Sequence, residues 1–399
     1  MTVEQDVLAR IIPTSEEQEK VLSVAHAFVD ELKSKVKGAK IILGGSVGKG
    51  TWLNDDTDID VFVAFEEDAE DLSDVLEPYL AAYETDRVHG SRDYFRLEKD
   101  GYMFEIVPIV AITNPKEAKN ITDISPLHAT WVNKNADDAV KDEIRLSKAF
   151  FKAQRIYGAE SHIKGFSGYV LEILTVHFGS FEKLLKAAGK WKEKSVVDPA
   201  KHHKDVFFDV NASKLVSPLI VIDPVQAGRN AAAALSTKRF SQCIAAAKAY
   251  LKKNDESYFL RQPLTFPKEA VIVDITSPEG RKDVVGCAVE KVYKHISHLL
   301  KKNEFIVTDS DLLFDEKNNA VMFFTFENST LSEIQERQGP PVTIEEHAKT
   351  FKKTYKDNFE KDGILYARVK REYVNAKDLI AERLKDAYVT EKIISAALQ

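Results

Sequence analysis

Two aspartates that follow a glycine-rich turn are the residues of this sequence with the clearest capacity for chemistry. In the turn, residues 44–51, backbone N–H groups and the Ser46 hydroxyl can bond phosphate oxygens, and Lys49 adds a point charge. Asp58 and Asp60 follow in an alternating run, so their carboxylates project from one side of a strand. Mg²⁺ between them would relieve their repulsion. The two motifs together predict a site for a nucleoside triphosphate and its metal.

Each motif alone also has a plainer interpretation. Residues 44–51 could be an ordinary glycine turn, because no Gly-Lys-Ser/Thr follows at the spacing of a Walker A loop. Asp58 and Asp60 could be solvated aspartates at the start of a strand, and an isolated Asp-x-Asp also occurs in glycosyltransferases and calcium loops. The phosphate-type turn directly before the aspartates favours the nucleotide-binding interpretation.

Glu105 is the best candidate for a third carboxylate. It is the lone acid in the apolar, strand-like run 102–108, where a charge must face water, a partner or a metal. The alternative is an exposed glutamate on an edge strand. With three carboxylates, the predicted chemistry is in-line attack of a 3′-hydroxyl on an α-phosphate, assisted by two metal ions.

The Gly-Ser turn, Thr51-x-Leu53 and the Asp-x-Asp pair resemble the signature of the nucleotidyltransferase superfamily that includes polymerase β. Further blocks make the chain similar to the archaeal-type, class I CCA-adding enzymes (tRNA nucleotidyltransferases), densely from about residue 40 to 235. These blocks are residues 125–131, 152–160, 164–169, 222–225 and 229–232. The resemblance implies template-independent addition of C, C and A to tRNA 3′ ends from CTP and ATP.

The resemblance also implies an α+β multidomain fold with a polymerase-β-like nucleotidyltransferase head, a helical neck, and an α+β RNA-binding body and tail. We place the catalytic head at residues 1–135 and the mainly helical neck, which would bind the nucleotide base, at 136–258. The body would occupy 259–326 and the tRNA-binding tail, with the C-terminal helices, 327–399.

Individual roles follow from the same resemblance. Asp58, Asp60 and Glu105 would be catalytic and would bind Mg²⁺. The nucleotide-binding residues would be Gly45, Ser46, Lys49, Ser125, His128, Lys152 and Arg229, of which Arg229 would contact the incoming base. From the residues alone, His128 could instead be a partly buried histidine, Lys152 a solvated helix lysine, and Arg229 a helix cap or ion-pair partner.

The sequence departs from the family at five positions. Glu105 stands where aspartate is usual, so one extra methylene must be absorbed at the metal site. Lys49 replaces a common arginine, and a point charge replaces a planar fork. Ser125 replaces threonine, and Ser161 falls where a phosphate-contacting tyrosine occurs, so that contact is not assigned. Near Arg92 the family often has His-Pro, and the role of this segment is open.

Composition narrows the class of protein. The chain has 399 residues, 44% of them hydrophobic and 30% charged, which is typical of a globular protein of several domains. No apolar run reaches the roughly 18 residues that span a membrane, the start is unlike a signal peptide, and two cysteines build no disulfide framework. We expect a cytoplasmic protein with no membrane partner. A homodimer is left open.

Net charge argues only mildly against nucleic acid as a partner. The chain carries a net charge of −7, but the acids concentrate in residues 66–71, whereas basic residues recur in 183–194 and 368–385. Because RNA binding needs local basic surface, this asymmetry favours RNA contacts in the later parts.

Periodicity and breakers predict the elements. A helix capped by Ser15 precedes the site strands, and helices are expected over residues 139–157, 165–191 and 229–253. Lys148, Lys152 and Arg155 would share one face that either meets phosphates or is solvated. His202 and His203 are more typical of a loop pair than of a metal site.

Beyond Pro263, we expect a strand at 271–275, a helix at 281–302 and a strand at 320–326. Their order favours a small α+β domain. A turn at 339–341 would then lead into helices rich in lysine and arginine.

Two other functions compete with the leading hypothesis. A poly(A) polymerase or oligoadenylate synthetase would share the catalytic head and differ in product length and in the use of CTP. A catalytically silent tRNA-binding protein would retain the fold, but it would have no reason to keep Asp58, Asp60 and Glu105 together.

Overall fold

In the computed structural model, which describes residues 2–54, 56–315 and 317–399, the chain divides into two units. The first is Met1–Gln262 and the second is Pro263–Gln399. All the residues that the sequence predicts to act on a nucleotide belong to the first unit.

Two helices open the first unit, α1 (Val3–Ile11) and α2 (Ser15–Lys35). The expected cap at Ser15 is wrong by one residue. The Thr14 hydroxyl accepts a hydrogen bond from the Glu17 N–H at 3.2 Å, and the Glu17 carboxylate accepts one from the Thr14 N–H at 2.7 Å. This reciprocal pair satisfies two N–H groups at once, which fixes the start of α2.

The acidic residues lie on a five-stranded sheet with the strand order β1–β2–β5–β4–β3. Among the described pairs of this sheet, β2–β5 is parallel and the others are antiparallel. The strands are β1 (Ala39–Leu43), β2 (Asp58–Phe65), β3 (Asp86–Val88), β4 (Tyr94–Lys99) and β5 (Tyr102–Val110). Short helices α3 (Gly45–Lys49) and α4 (Leu72–Leu76) follow β1 and β2.

Alternation in β2 sends its side chains to two layers. Ile59 and Val61 are fully buried in a hydrophobic core that includes α2. Phe62 belongs to a smaller cluster on the opposite face. Asp58 and Asp60 share that opposite face at the start of the strand, which leaves them beside the cluster and not within the main core.

A helical layer completes the first unit. Its core joins α1 to later helices through large side chains such as Phe150, Phe181 and Tyr250. The helices are α5 (Ser125–Asn135), α6 (Asp138–Ala153), α7 (Gly168–Phe178), α8 (Phe181–Ala188), α9 (Val206–Asp209) and α10 (Thr237–Lys253). Two short parallel strands lie among them, β6 (Ser195–Val197) and β7 (Leu219–Val221).

The three helices predicted in this layer are present with different ends. The stretch 165–191 forms two helices, because Gly179 takes a left-handed φ of +83° and ends α7. The helix expected from residue 229 begins at Thr237, where Ser236 caps it. The preceding segment instead bonds to β7, with the Ala231 N–H donating to the Val221 carbonyl at 2.7 Å.

The second unit contains two antiparallel sheets. The first has the order β14–β8–β10–β9, and the second β11–β13–β12. The strands are β8 (Val271–Thr276), β9 (Val307–Phe314), β10 (Asn319–Phe326), β11 (Ile334–Pro341), β12 (Asn358–Lys361), β13 (Ile364–Lys370) and β14 (Ser395–Leu398). The helices are α11 (Lys282–Lys302), α12 (Glu345–Thr354), α13 (Ala376–Arg383) and α14 (Ala387–Thr390).

Within residues 2–54, 56–315 and 317–399, five 3₁₀ turns connect these elements. They are Glu77–Leu80, Pro115–Glu117, Ile121–Ile124, Ala212–Lys214 and Glu256–Phe259. In the part of the chain that the structure describes, no helix is both long enough and apolar enough to cross a membrane.

The predictions for the second unit hold for the elements before residue 327 and only in part for those after it. The strand near 271, the helix over 281–302 and the strand near 320 are confirmed as β8, α11 and β10. The predicted turn at 339–341 is wrong, since these residues end β11 at a register shift against β13. The helices expected after this turn are present as α12, α13 and α14, but the strands β12, β13 and β14, which the sequence did not predict, lie among them.

The C-terminal segment is part of the core around α11. Leu379 and Ile380 of α13 are fully buried there, and β14 pairs with β8. The boundary at residue 326 stays a prediction, but α13 and β14 pack with the strands before it.

We expect Leu379→Ala to lower the free energy of unfolding by about 2–5 kcal/mol, because it leaves a cavity in this core. Urea denaturation of the full chain measures the effect. Lys377→Ala on the exposed side of the same helix is the matched control and should change stability by less than about 0.5 kcal/mol. Equal stability of the two variants would contradict a core role for α13.

Candidate active site

The glycine turn and the acidic strand are bonded to each other. The Gly44 N–H donates to the Asp60 carbonyl at 2.9 Å, and Gly45 follows with a left-handed φ of +58°. A Cβ added at Gly45 would lie 1.6 Å from Asp60 Oδ2. The Asp60 carboxylate therefore occupies the space that any other residue at position 45 would need, and glycine is required for its conformation and for its lack of a side chain.

The three predicted carboxylates share one face of the sheet. Asp60 and Glu105 are register partners on the parallel strands β2 and β5, and Asp58 is two residues before Asp60 on the same face. Asp58 is exposed, whereas Asp60 is mostly enclosed. Burial, with smaller contributions from Asp58 and Asp56, raises the pKa of Asp60 to about 6, even though Lys49 opposes the shift. The positive charges near Asp60 therefore do not fully offset the effect of its burial.

The donor set fits a hard divalent ion, because carboxylate oxygens are the ligands that Mg²⁺ prefers. Among the described residues, however, no three acidic or other ligand side chains are already gathered closely enough to hold an ion. Glu105 Oε1 lies 3.3 Å from Arg96 Nε on the neighbouring strand β4. Glu105 would thus have to leave Arg96 in order to join Asp58 and Asp60 around a metal.

Lys49 points to a buried carboxylate that sequence reasoning missed. Its ammonium donates to Glu172 Oε2 at 2.7 Å, and its side chain is 12% exposed. Glu172 Oε1 accepts from Lys148 at 2.8 Å and from the Thr51 hydroxyl at 2.9 Å. Ser46 lies in the same short helix as Lys49 and is partly buried.

This cluster is ionised despite its burial. Burial alone raises the pKa of Glu172, but the ammonium groups of Lys148 and Lys49 outweigh it and lower that pKa to about 2. Burial lowers the pKa of Lys148, and Glu172 opposes that shift. The result is a buried group of two cations and one anion at the exit of the glycine turn.

Asp223 gathers the other predicted nucleotide-binding residues. Its Oδ2 accepts a hydrogen bond from Arg229 at 2.6 Å and lies 3.1 Å from His128 Nε2. Its Oδ1 accepts from the Tyr169 hydroxyl at 3.1 Å. The rings of His128 and Tyr169 stack with centroids 4.0 Å apart. The structure thus brings His128 and Arg229 together through a carboxylate.

Titration of this second cluster follows from burial and charge. Burial raises the pKa of Asp223, but the hydrogen bond from His128 and the charge of Arg229 outweigh it, so that the net pKa is lowered. Burial lowers the pKa of His128, against the effect of Asp223. Asp223 is therefore ionised, and it fixes the direction of the Arg229 guanidinium.

The basic residues of α6 do not act as one face. Lys148 is buried against Glu172, and Lys152 pairs with Asp56. Arg155 lies beyond the end of α6 with a left-handed φ of +59° and bonds a backbone carbonyl at 3.0 Å. The prediction that the three share one face, whether that face meets phosphates or solvent, is therefore wrong, and of the three only Lys152 keeps its assigned role as a prediction.

The remaining predicted positions have clear locations. Ser125 is the first residue of α5 and is partly buried. Arg92, whose role was open, donates to the Pro108 carbonyl at 3.2 Å and pairs with buried Asp123, so it anchors its loop. Ser161 is exposed in a turn. His202 bonds the Pro224 carbonyl at 3.0 Å, as expected for a loop residue.

Signals for the missed residues were present in the sequence. Glu172 is the lone acid in the apolar helix α7, which is the same signal that selects Glu105. Asp223 lies two residues after the end of the apolar strand β7. It belongs to the block 222–225, which is one of those that carry the family resemblance. What the sequence does not contain is the pairing, because Lys49 and Glu172 lie 123 residues apart.

Three protein-family models match the chain. A nucleotidyltransferase domain matches residues 26–128, the second domain of tRNA nucleotidyltransferase matches 142–260, and the C-terminal domain of the CCA-adding enzyme matches 268–398. Together they cover most of the chain in the order that the resemblance implies.

Curated relatives match along nearly the whole length. The CCA-adding enzyme of Methanocaldococcus jannaschii is 32% identical and is aligned over 96% of this chain and 91% of its own. The CCA-adding enzyme of Nanoarchaeum equitans is 33% identical over 91% of this chain and 92% of its own.

Solved structures agree on the fold. A cytoplasmic RNA terminal U-transferase superimposes with a TM-score of 0.50 at 14% identity, over 65% of this chain and 98% of that one. A structure of Cid1, a terminal uridylyl transferase, has the same TM-score at 15% identity and the same coverage. The predicted fold class, a multidomain α+β chain with a nucleotidyltransferase head, is confirmed.

We expect Gly45→Ala to destabilise the protein by about 2 kcal/mol or more, because the methyl group meets the Asp60 carboxylate in a left-handed backbone. Thermal or urea denaturation measures the loss. Gly38→Ala is the matched control: Gly38 has a similar φ of +68° but open space around its Cα, so about 1 kcal/mol of backbone strain should remain.

A double-mutant cycle isolates the contact with Asp60. In an Asp60→Ala background the closest obstructing atoms are gone, so Gly45→Ala should cost less than it does alone. Strict additivity of the two substitutions would show that the carboxylate does not occupy this space.

Proposed function

Because the chain belongs to the CCA-adding enzyme family, we propose that the residues around the glycine turn form its site of nucleotide addition. As a member of this family, the chain adds C, C and A to the 3′ end of tRNA from CTP and ATP. The new bond joins the tRNA 3′-oxygen to the α-phosphorus, and the broken bond releases pyrophosphate. The side-by-side register of Asp60 and Glu105 carries the assignment of the site.

The family uses divalent metal ions, and we propose that Asp58, Asp60 and Glu105 bind them here as Mg²⁺. When bound, such ions neutralise the triphosphate and lower the pKa of the attacking hydroxyl. The raised pKa of Asp60 supports this role, because a carboxylate enclosed without enough positive charge gains most from a cation. To hold the ion, Glu105 would have to turn away from Arg96, and its longer side chain would give it the reach to do so.

The triphosphate would lie along the glycine turn. Backbone N–H groups near Gly45 and the Ser46 hydroxyl donate to phosphate oxygens, and Lys49 adds charge from the side of Glu172. Ser125 and Lys152 complete the contacts. Lys152 would have to release Asp56 in order to reach a phosphate. Its ion pair with Asp56 leaves the lysine side chain 30% exposed and therefore accessible.

Base recognition would depend on Arg229. Arg229 is 29% exposed while one of its guanidinium nitrogens is held by Asp223, so the other donors can face a base. Asp223 supplies the rigidity that a pocket needs to distinguish one base from another. His128 lies against the same carboxylate, and we assign it to binding of the triphosphate and not of the base.

The second unit would bind the tRNA. On its three-stranded sheet, Phe359 and Tyr366 stack at 5.7 Å, and the Arg368 guanidinium lies 5.0 Å above the Phe359 ring. Aromatic and basic side chains together on a sheet suit contact with RNA.

We also propose a cytoplasmic location, because tRNA is the substrate. The homodimer stays a prediction.

We expect Asp60→Asn to abolish nucleotide addition to tRNA that lacks its 3′ CCA, with little change in tRNA affinity. The measurement follows labelled CTP and ATP into product. Wild-type protein should add C, C and A in that order. Normal addition by Asp60→Asn would show that Asp60 is not a catalytic residue, and it would contradict the proposed metal site.

Stability gives an independent reading of the same variant. The folded pKa of Asp60 is about 6 against an ordinary value of 3.8, so the metal-free folded state holds the extra proton between these values. Its free energy of unfolding therefore falls as pH rises through about 4 to 6. Asp60→Asn should stabilise the metal-free protein by about 3 kcal/mol at pH 7 and by almost nothing at pH 3.5.

We expect Arg229→Ala to raise the Michaelis constants for CTP and ATP roughly 10- to 100-fold, the loss typical of a charged hydrogen bond. Arg229→Lys is the control, because it keeps the charge next to Asp223 but loses the planar fork. It should retain stability and still show weakened base selection. Unchanged Michaelis constants with normal fidelity in Arg229→Ala would refute the role in base recognition.

A further inference from the structure

We propose that Glu172 is a positioning residue for nucleotide addition: it directs Lys49 toward the triphosphate and fastens the exit of the glycine turn to α7. The inference rests on the proposed function, since it takes Lys49 and Asp60 as parts of the nucleotide site. Glu172 lies on a helix, outside the turn and the acidic strand.

The orientation of Glu172 is fixed by its bonds. The side chain is 1% exposed, and both oxygens are used: Oε1 by Lys148 and Thr51, and Oε2 by Lys49. A buried carboxylate with three charged or polar donors has one stable direction, because any rotation would leave a charge unpaired. Glu172 can therefore transmit the position of α7 to the residues that it holds.

The two lysines have different tasks. The Lys148 ammonium donates to Glu172, to the Thr51 hydroxyl at 3.0 Å and to the Thr51 carbonyl at 3.2 Å, so its three N–H groups are directed inward. Among the described residues, Glu172 is the one acceptor of a hydrogen bond from Lys49. Donors of Lys49 therefore remain for an anion that enters the site.

The net charge of the cluster also indicates that Lys49 remains available to an anion. Two lysines and one glutamate leave one unit of positive charge in the cluster. Lys49 Nζ lies 5.8 Å from the ring centroid of Tyr169, which bonds Asp223, and its charge also acts on Asp60, so it is near both groups. The excess charge is thus next to the place where the triphosphate would lie.

Lysine needs such a partner more than arginine does. Its ammonium is a point charge on a flexible stem, whereas a guanidinium has a built-in direction. Ordering a free lysine side chain on each binding event costs conformational entropy. A bond to Glu172 at 2.7 Å orders Lys49 before the nucleotide arrives.

The attachment extends to the backbone of the turn. Lys148 holds the Thr51 carbonyl, and Arg145 donates to the Gly50 carbonyl at 2.8 Å and to the Trp52 carbonyl at 3.1 Å. Three consecutive carbonyls at the turn exit are thus bound by α6 side chains. Glu172 neutralises Lys148 in this arrangement, so it supports the turn as well as Lys49.

The test is Glu172→Gln, which keeps the shape and removes the charge. The proposal expects the dissociation constant of CTP and the Michaelis constants for CTP and ATP to rise roughly 10- to 100-fold. The dissociation constant of tRNA should change less than about twofold. Glu172→Asp retains the charge and should recover part of the nucleotide affinity.

A double variant separates positioning from stability. Glu172→Gln leaves two buried cations without an anion and so lowers the melting temperature. Adding Lys148→Met removes one of these cations and should restore much of the melting temperature, while Lys49 still lacks its partner. The proposal therefore expects nucleotide affinity to stay low in Lys148→Met/Glu172→Gln. Full recovery of affinity would overturn it and assign Glu172 to charge balance alone.

Asp123→Asn is the matched control for a buried carboxylate. Asp123 is equally buried in the first unit, but it bonds Arg92, the Val110 N–H at the end of β5 at 3.0 Å, and the loop N–H groups of residues 119 and 120. This variant should lose stability with unchanged nucleotide affinity. If Glu172→Gln behaves in the same way while Asp60→Asn abolishes addition, the positioning role falls and the proposed site stands. Normal addition by Asp60→Asn would instead overturn the site itself.

Discussion

The contact between the Asp60 carboxylate and the Gly45 backbone is the constraint on which the rest of the first unit depends. It requires a glycine at the turn, a strand that begins with acids, and a hydrogen bond from Gly44 to the Asp60 carbonyl. Because the turn and strand share this space, the phosphate-binding backbone and the metal-binding oxygens cannot move independently. Positional precision of this kind is what transfer of a phosphoryl group demands.

Two buried carboxylates extend this constraint into the helical layer. Glu172 binds cations from the turn and from α6, and Asp223 binds Arg229 together with His128. Both have lowered pKa values because the cations around them outweigh the effect of burial. The helices therefore fix the direction of positive groups, while the sheet fixes the negative ones. Substrate phosphate and metal would complete the balance between the two.

The local sequence pattern was enough to predict features that depend only on neighbouring residues of one strand. Alternation placed Asp58 and Asp60 on one face, and a lone acid in an apolar run selected Glu105, which lies in register with Asp60. The partners of Lys49 and Arg229 could not be predicted in this way, since they come from distant elements. The strands β12 and β13 were missed for another reason: their hairpin turns at Asp362-Gly363, and the basic content of the segment concealed that signal. Roles of individual residues came from family resemblance, and the geometry gives specific tests for Gly45, Asp60 and Arg229.

The pairing of β14 with β8 has a consequence for how the protein is made. The strands of the first sheet all lie within residues 39–110, so a ribosome delivers them nearly together. In the second unit, β8 emerges early and its neighbour β14 only after every other strand. Until then one edge of β8 is open, and an open edge can pair with another chain. Nascent chains that stall late in synthesis should therefore be the species most in need of a chaperone.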